Sequence, residues 1–269
     1  MDIKHVYVVM FSPTGTSRKV AQAVAAGIAH EVPGVACTAI DLTTDYDCIS
    51  IIELEDAVCV VASPVYGGLL PPLAVDRLRR IVGTRSVALP VVVYGNRDYE
   101  DALMQLGIVL TNGGFGIAAG ATFVGEHSYS RPEYPIAAGR PDAADLDKAE
   151  AFGRRAAQLI AASTAEPSLM RTQLPGNNPV KTLPPPTHQI PVVNDKCNTC
   201  LKCISICPTA AIVLADSGIR ADFFDCIKCC ACVKQCPQGA LTFDTPYSAM
   251  LSAKCTVRRE PEIFWGIGE

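Results

Sequence analysis

The sequence lacks the excess of basic residues with which nucleic-acid-binding proteins neutralise phosphates. It has 23 Lys and Arg against 27 Asp and Glu, a formal net charge of -4, so nucleic acid is not expected as a partner. Charged residues make up only 19% of the chain and hydrophobic residues 49%, which favours a folded core over disorder. The 269 residues suffice for one large domain or two unequal domains.

Long apolar runs are missing as well. No window of about 18 residues is apolar and free of Pro, Gly and charge, so no membrane-spanning helix is predicted. Residues 1–5 show no charged n-region, apolar stretch or cleavage motif, so no secretory signal is predicted there. Aromatic residues are also sparse at 6%, with one Trp.

Cysteine, in contrast, is abundant, with 13 residues. Two runs share the spacing C-x2-C-x2-C-x3-C-P: Cys197, Cys200, Cys203 and Cys207 before Pro208, and Cys226, Cys229, Cys232 and Cys236 before Pro237. This is the bacterial spacing for cubane iron-sulfur clusters. A zinc site needs only four ligands and does not produce two such runs, so zinc is disfavoured.

The spacing also predicts which cysteines share a cluster. Three thiolates on one tight loop can reach three corners of a cube, while the fourth points away and ligates the other cluster. The two predicted sets are therefore Cys197, Cys200, Cys203 with Cys236, and Cys226, Cys229, Cys232 with Cys207. We interpret Cys230 as a packed bystander and expect burial as small apolar residues for the rest: Cys37, Cys48, Cys59 and Cys255. The predicted iron-sulfur clusters and the absence of an export signal together predict a protein of a reducing cytoplasm, as is typical of anaerobic cells.

The first three fifths of the chain alternate strands and helices. Strands are predicted at residues 6–11, 35–42, 57–62, 86–94 and 116–124, and helices at 18–30, 72–82, 98–111 and 143–163. Continuous apolar strands separated by helices are typical of a parallel sheet covered on both faces. We therefore predict an α/β fold with a doubly wound parallel sheet, whose ligands bind beyond the carboxyl ends of the strands.

Three loops at these strand ends carry candidate binding residues. Residues 12–17 (SPTGTS) combine hydroxyls, one Gly and a helix start, which suits a phosphate. A helix N-cap without a ligand is the alternative, and the absence of a Walker lysine argues against a nucleoside triphosphate. Residues 63–68 and 94–99 contain Gly and Tyr, which can bracket a flat aromatic ring.

This arrangement resembles flavodoxins over residues 3–163. The resemblance implies strand order 2-1-3-4-5 and FMN as the cofactor. It implies phosphate contacts from Ser12, Thr14, Gly15, Thr16 and Ser17, and contacts to the flavin ring from Pro64, Val65, Tyr66, Gly67, Asn96, Arg97 and Tyr99. His127, after the fifth strand, either approaches the flavin or has no role. The match of residues 114–119 to G-x-G-x-x-A follows a helix and precedes a strand, the reverse of a dinucleotide motif, so NAD is not predicted there.

The remainder of the chain completes the predicted domain plan. Residues 190–244 resemble a two-cluster bacterial ferredoxin, a small α+β domain that folds around its metal. The plan is a flavodoxin-like domain at 1–165, a Pro-rich linker at 166–189, a ferredoxin domain at 190–245 and a tail at 246–269. The prolines leave a mobile linker and an ordered strap as alternatives. The tail is expected to dock on one domain, or to shield the flavin or a cluster.

The combination resembles flavodoxin-ferredoxin fusion proteins. It implies an intracellular electron-transfer flavoprotein in which two [4Fe-4S] clusters pass single electrons to or from FMN, linking low-potential donors to a redox partner. The alternative is an FMN-dependent reductase of a quinone, nitro compound, flavin or metal complex, although His127, Glu126 and the loop tyrosines are its only obvious acids. A redox sensor is a third hypothesis. The donor, the acceptor, the direction of flow and a homodimeric state stay open.

Overall fold

The computed structural model describes residues 2–47, 49–183 and 189–266; Cys48 and Pro184, Pro185 and Pro186 lie outside the described residues. The strands are β1 (His5–Met10), β2 (Ala36–Asp41), β3 (Ile52–Glu55), β4 (Val58–Pro64), β5 (Ile81–Thr84), β6 (Val87–Tyr94), β7 (Gly116–Ile117), β8 (Ala119–Val124), β9 (Val192–Val193), β10 (Ile212–Ala215), β11 (Gly218–Ala221), β12 (Leu241–Thr242) and β13 (Glu262–Trp265). The helices are α1 (Thr16–Glu31), α2 (Pro72–Leu78), α3 (Ala102–Asn112), α4 (Ala143–Ala162), α5 (Lys202–Ser205), α6 (Ala231–Lys234) and α7 (Pro246–Lys254), with a 3-10 turn at Pro167–Leu169.

A parallel sheet forms the larger part of the protein, which we call the sheet region (residues 2–183 with 246–266). The strand order is β2-β1-β4-β6-β8, and neighbours in this order are parallel. β4 and β6 are buried along almost their whole length, as strands covered on both faces must be. The predicted doubly wound α/β fold with order 2-1-3-4-5 is confirmed.

Helices cover both faces of this sheet. On one face, Val24 of α1 and Phe152 of α4 join Val60 of β4 in one buried cluster. On the other face, Leu78 of α2 and Leu106 of α3 belong to a second buried cluster. Among the described helices, none is both long and apolar enough to cross a bilayer.

One helix is shorter than the sequence predicts. The pattern predicts a helix over residues 72–82, but α2 ends at Leu78 and β5 follows shortly after. Ile81 pairs in parallel with Ile52 of β3, a strand that the pattern does not reveal. Leu54 and Ile81 are both buried in the core, so packing against the sheet overrides the helical pattern.

Residues 166–183 form an ordered strap along the sheet region. The Ile117 N–H donates a 2.9 Å hydrogen bond to the Met170 carbonyl. The Asp101 carboxylate accepts a 2.8 Å hydrogen bond from the Lys181 N–H. Of the two alternatives that the prolines left open, the strap is the one observed over these residues.

The chain returns to the sheet near its C-terminal end. β13 pairs antiparallel with β8 and so covers the edge of the sheet. Trp265 packs on Phe152, with ring centroids 5.4 Å apart. The buried Asn96 amide donates to the carbonyls of Cys255 and Val257 at 3.0 and 2.8 Å. The segment between strap and tail is therefore tied to the sheet region at both ends.

That segment is a small α+β unit, which we call the cysteine unit (residues 190–245). β10 pairs antiparallel with β11, and β9 with β12. Its core contains Cys203, Cys207 and Cys232 together with Ile212 and Leu241. A core with so few apolar side chains needs further stabilisation from a bound metal or from its neighbours.

Candidate functional site

A cleft of about 340 Å³ opens where the loops after β1, β4, β6 and β8 meet. This is the sheet edge at which doubly wound folds bind their ligands. The lining residues are Thr14, Thr16, Pro64, Val65, Tyr66, Val93, Tyr94, Gly95, Gly125, Glu126, His127 and Ser128. Tyr66, Tyr94 and His127 give this strand-end cleft aromatic walls, which suit a flat ring.

The loop after β1 brings together the hydroxyls that the sequence predicts as phosphate contacts. The Arg18 N–H donates a 2.9 Å hydrogen bond to the Ser12 hydroxyl, and the Ser12 N–H donates to the Thr43 hydroxyl at 2.7 Å. Gly15 stands before α1 with φ of 87°, in the left-handed region that favours glycine. The Ser17 hydroxyl is buried and has no hydrogen-bond partner within the described part of the chain. Because an unpaired buried hydroxyl is costly, a ligand oxygen at this helix start would stabilise it.

A larger pocket of about 720 Å³ adjoins this loop, and Thr14 lines both cavities. The cysteine unit contributes Lys202, Ser205, Ile206 and Gln235 to its lining. Arg18 in the same pocket is paired with Asp41, so Lys202 brings a further positive charge beside the hydroxyl loop. Sequence reasoning missed this lysine because it lies far along the chain, in the first cysteine run.

The loop after β4 presents Tyr66 at a tight turn. Tyr66 and Leu69 exchange backbone hydrogen bonds of 2.7 and 3.3 Å. The two residues between them, Gly67 and Gly68, have φ of 62° and 86°, as a two-residue turn with both central φ angles positive requires. The predicted ring-contact residues of this loop that line the cleft are Pro64, Val65 and Tyr66.

Beyond Gly95, which lines the cleft, the loop after β6 faces the tail. The Tyr99 hydroxyl donates a 2.9 Å hydrogen bond to Glu262, Arg97 pairs with Glu100, and Asn96 holds tail carbonyls as described above. None of Asn96, Arg97 and Tyr99 is among the described residues that line the cleft. The sequence could not reveal this arrangement, because it depends on the return of the chain to the sheet after residue 254.

His127 forms part of the cleft wall as a neutral imidazole. A Cβ on Gly95 would overlap its ring, so glycine is what lets the ring lie against this loop. Burial lowers the pKa of His127 to about 4, and the charges of Lys234 and Arg97 act in the same direction. The Tyr129 N–H donates a 3.0 Å hydrogen bond to Nδ1, which places the proton of the neutral ring on Nε2. His127 can therefore donate one hydrogen bond from Nε2 at neutral pH.

The cysteines of the two runs surround two cavities in the cysteine unit. The first, of about 280 Å³, is lined by Cys197, Cys200, Cys203 and Cys236, and the second, of about 340 Å³, by Cys207, Cys226, Cys229 and Cys232. The fourth cysteine of each run thus lies at the cavity of the other run. This is the grouping that the spacing predicts; ligation itself stays a prediction.

The chemistry of these thiols bears on what the two cavities can bind. Within the residues that the structure describes, no three His, Cys, Asp or Glu side chains are arranged to hold a single metal ion. Burial raises the pKa of Cys229 to about 12 and also raises the pKa of Cys226. Thiolates at these positions need a positive partner, which the iron of a cluster would supply. The donor set therefore fits an iron-sulfur cluster.

The four other cysteines that the structure describes show mixed environments. Cys230 is buried, as predicted, and also lines the second cavity. Cys59 is buried and Cys255 partly exposed. The expected burial of Cys37 is wrong: it is exposed, because β2 is the last strand at its edge of the sheet and offers little to pack against.

The sheet region holds the cysteine unit at the end of the first run and within the second run. The Tyr46 hydroxyl donates to the Cys207 carbonyl at 2.6 Å, and the buried Arg77 guanidinium donates to the Pro208 carbonyl at 2.7 Å. Further polar contacts join Lys234 to Glu126, Gln235 to the Pro13 carbonyl and Arg131 to Asp244. These contacts fix the second cavity next to the strand ends.

Two tyrosines of the sheet region lie beside the second cavity. Burial raises the pKa of Tyr66 well above its ordinary value, and the neighbouring thiols of Cys229 and Cys230 raise it further. Burial also raises the pKa of Tyr129, and the thiols of Cys229 and Cys230 make a smaller contribution in the same direction. Tyr66 also lines the cleft, so one side chain borders the cleft and is close enough to the cysteines of the second cavity to be influenced by them.

Comparison with solved structures finds similar chains at low identity. An archaeal flavodoxin is 17% identical, with 58% of this chain and 99% of that chain covered and a TM-score of 0.40. An apo NADH:FMN oxidoreductase is 17% identical (60% and 91% covered, TM-score 0.40). The rubredoxin oxygen:oxidoreductase of the anaerobe Desulfovibrio gigas is 16% identical (60% and 37% covered, TM-score 0.40). No family model matches the sequence, and no similar sequence is found among curated proteins.

Proposed function

We propose that this chain is an electron-transfer flavoprotein that binds FMN at the strand-end cleft and one [4Fe-4S] cluster in each cysteine cavity. The observation that carries the proposal is the position of Tyr66, which lines the cleft and lies beside the cysteines of the second cavity. When bound, the clusters supply one-electron steps and the flavin connects one-electron with two-electron chemistry.

The residues around the cleft have distinct proposed roles. The phosphate contacts fall to Ser12, Thr14, Gly15, Thr16 and Ser17, and the ring contacts to Pro64, Val65, Tyr66, Gly67, Tyr94, Gly95 and His127. The orphaned Ser17 hydroxyl and the charge of Lys202 support an anionic group at the first of these sets. Asn96, Arg97 and Tyr99, which hold the tail and their own loop, support the cleft from behind.

Each cysteine set holds its own cluster in this proposal. Cys197, Cys200, Cys203 and Cys236 bind the first, and Cys207, Cys226, Cys229 and Cys232 bind the second. The corresponding domain plan is an FMN-binding domain at 1–165, a connecting segment at 166–189, a ferredoxin-like domain at 190–245 and a tail at 246–269. The grouping of the cysteines around two cavities supports the two sets.

The side chains around the cleft govern water and protons. Tyr66 and Tyr129, both with raised pKa values, keep their protons at neutral pH and exclude water between the cleft and the second cavity. His127 stays neutral and offers its Nε2 proton as a hydrogen-bond donor. Glu126, the carboxylate of the cleft lining, is paired with Lys234, which favours electron exchange without a change in side-chain ionisation.

The partner in this proposal is a redox protein of the cytoplasm that serves as donor or acceptor. An FMN-dependent reductase of a small acceptor, fed by the clusters, is the competing function. Turnover with quinones, nitro compounds, free flavin and ferric complexes distinguishes them. The carrier exchanges electrons with these acceptors without saturable turnover, whereas kcat and KM values typical of an enzyme would establish the reductase.

The cofactors are tested by analysis of protein purified without oxygen. Iron and acid-labile sulfide should each approach about eight per chain, the content of two cubane clusters, and denaturation should release one FMN. Zinc in place of iron, or four irons per chain, would contradict the two-cluster assignment. Absence of bound FMN, together with failure to bind added FMN, would contradict the flavin assignment.

A further inference from the structure

The internal repeat allows the two cysteine cavities to be compared at equivalent positions. Leu201 and Cys230 each follow the second cysteine of their run and precede a short helix. Their backbones match, with φ of 61° and 56°. Leu201 is nevertheless 43% exposed, whereas Cys230 is 2% exposed. Because the local conformation is the same, the difference comes from what covers each loop.

The sheet region covers the second loop. Tyr66 and Tyr129 are close enough to Cys230 for its thiol to raise their pKa values, and Lys234 and Gln235 of the same run bond to Glu126 and to the Pro13 carbonyl of the sheet region. Tyr129 also packs against Phe243 of the cysteine unit, with tilted rings whose centroids are 5.2 Å apart, and against His127 of the cleft wall at 4.9 Å. Tyr129 therefore connects the wall of the strand-end cleft with the cysteine unit.

The first loop has a different environment. Both cavities are lined by residues of the cysteine unit, so the contrast between them lies in the exposure of their cysteines. Around the first cavity Cys200 is exposed, as is the neighbouring Leu201, and only Cys203 of the four cysteines is buried. Around the second cavity Cys207, Cys229 and Cys232 are buried and Cys226 is partly exposed.

We propose that the second cavity is the one coupled to the strand-end cleft, through Tyr66, Tyr129 and Cys230, and that the first cavity is the outward port for an external redox protein. This inference rests on the proposed function and adds an order to it: partner, first cavity, second cavity, cleft. The strap precedes the cysteine unit in the chain and β13 follows it, and both are bound to the sheet region. The electron path from the first cavity to the cleft therefore lies within one chain.

The electron balance of this order is simple. A one-electron donor protein gives one electron at the first cavity and is itself oxidised. That electron moves to the second cavity and then to the cleft, and two such passages with two protons from water account for full reduction of the flavin. With an acceptor protein at the port, the same path runs in reverse.

Redox titrations followed by EPR spectroscopy test the assignment without any assay of turnover. Leu201→Lys places a positive charge beside the first cavity, which should raise the midpoint potential of the cluster signal that belongs there. Leu201→Met is the matched neutral control. Removal of FMN from the wild-type protein should shift the other cluster signal, and reconstitution with FMN should restore it.

The result expected is that Leu201→Lys and FMN removal move different cluster signals. If Leu201→Lys and FMN removal shift the midpoint potential of the same cluster signal, the inference is overturned. A preparation with fewer than two cluster signals or without FMN would instead contradict the proposed function. The two failures are therefore distinguishable.

Thiol alkylation of the intact holoprotein gives an independent measurement. In Leu201→Cys, the new thiol should be alkylated at least about tenfold faster than Cys230, because reactivity requires an accessible thiolate. Mass spectrometry separates these sites from the exposed Cys37. Equal rates at the two positions would show that the second loop is not covered by the sheet region, which would overturn the inference.

Discussion

The Tyr46 hydroxyl donates a 2.6 Å hydrogen bond to the backbone carbonyl of Cys207. Tyr46 follows β2 in the sheet region, while Cys207 ends the first cysteine run and lines the second cavity. The Arg77 guanidinium lies 5.7 Å from the centre of the Tyr46 ring and donates to the next carbonyl, that of Pro208. The sheet region thus holds the chain where it crosses from one cavity to the other.

Substitution of Arg77 tests this grip. Arg77→Gln removes donors to the carbonyls of Leu42, Thr43 and Pro208, and buried acceptors lose their partners. We expect the free energy of unfolding to fall by about 2–4 kcal/mol, measured by urea denaturation of the holoprotein. Arg79→Gln on the same helix end is the control, because the exposed Arg79–Asp76 pair contributes little. Equal effects of the two substitutions would contradict the structural role of Arg77.

Exchange of the fourth cysteine tests the crossed ligand sets. Cys207→Ser should remove the cluster of the second cavity while leaving that of the first, so iron and sulfide should fall to about four each per chain. Cys230→Ser is the matched control and should retain about eight, because Cys230 is not one of the predicted ligands. If Cys207→Ser kept the full content and Cys230→Ser lost half, the ligand assignment would be wrong.

The Ser17 hydroxyl gives a prediction with two opposite signs. In Ser17→Ala, the apoprotein should become slightly more stable, because an unpaired buried hydroxyl is removed. FMN affinity should fall about 10- to 100-fold, the effect of losing one hydrogen bond to a charged group, whereas riboflavin affinity should be unchanged. Flavin fluorescence titration measures both affinities. An equal loss for FMN and riboflavin would place Ser17 away from the phosphate.

The lowered pKa of His127 predicts a pH dependence of stability. The pKa is about 4 in the folded protein and near 6.5 in an unfolded chain, so the unfolded chain takes up the proton first as the pH falls. The contribution of the neutral His127 to the free energy of unfolding is therefore fully present above pH 6.5. It is lost progressively toward pH 4, to a total of about 3 kcal/mol. In His127→Gln this decrease in the free energy of unfolding should be absent when unfolding is measured from pH 8 to pH 4. An unchanged slope would contradict the neutral, buried imidazole.

The sheet was predictable because its strands carry their signal locally. Val87 to Tyr94 is buried along its length, and an unbroken apolar run of this kind reads directly from sequence. β3 and β5 were not predictable, because four-residue strands acquire their pairing from the core that they join. The grouping of the cysteines around two cavities was predictable from their spacing, which is the one typical of cubane-cluster ligands.

The loop contacts mark the limit of sequence reasoning. Asn96, Arg97 and Tyr99 occupy the positions expected of ring contacts. Asn96 and Tyr99 instead donate hydrogen bonds to tail residues about 160 positions later in the chain. Lys202 reaches the hydroxyl loop only because the cysteine unit lies against that edge of the sheet. Contacts of this kind depend on how separate parts of the chain are packed, which no local pattern records.

The position of β13 gives the protein an order of assembly. The strand that covers the open edge of β8 leaves the ribosome only after the whole cysteine unit has been made. Until then β8 presents unpaired backbone groups that can pair with other chains. A chain that stalls or is cut before residue 262 keeps this edge uncovered, so the closing strand makes the solubility of the sheet region depend on completed synthesis of the cysteine unit.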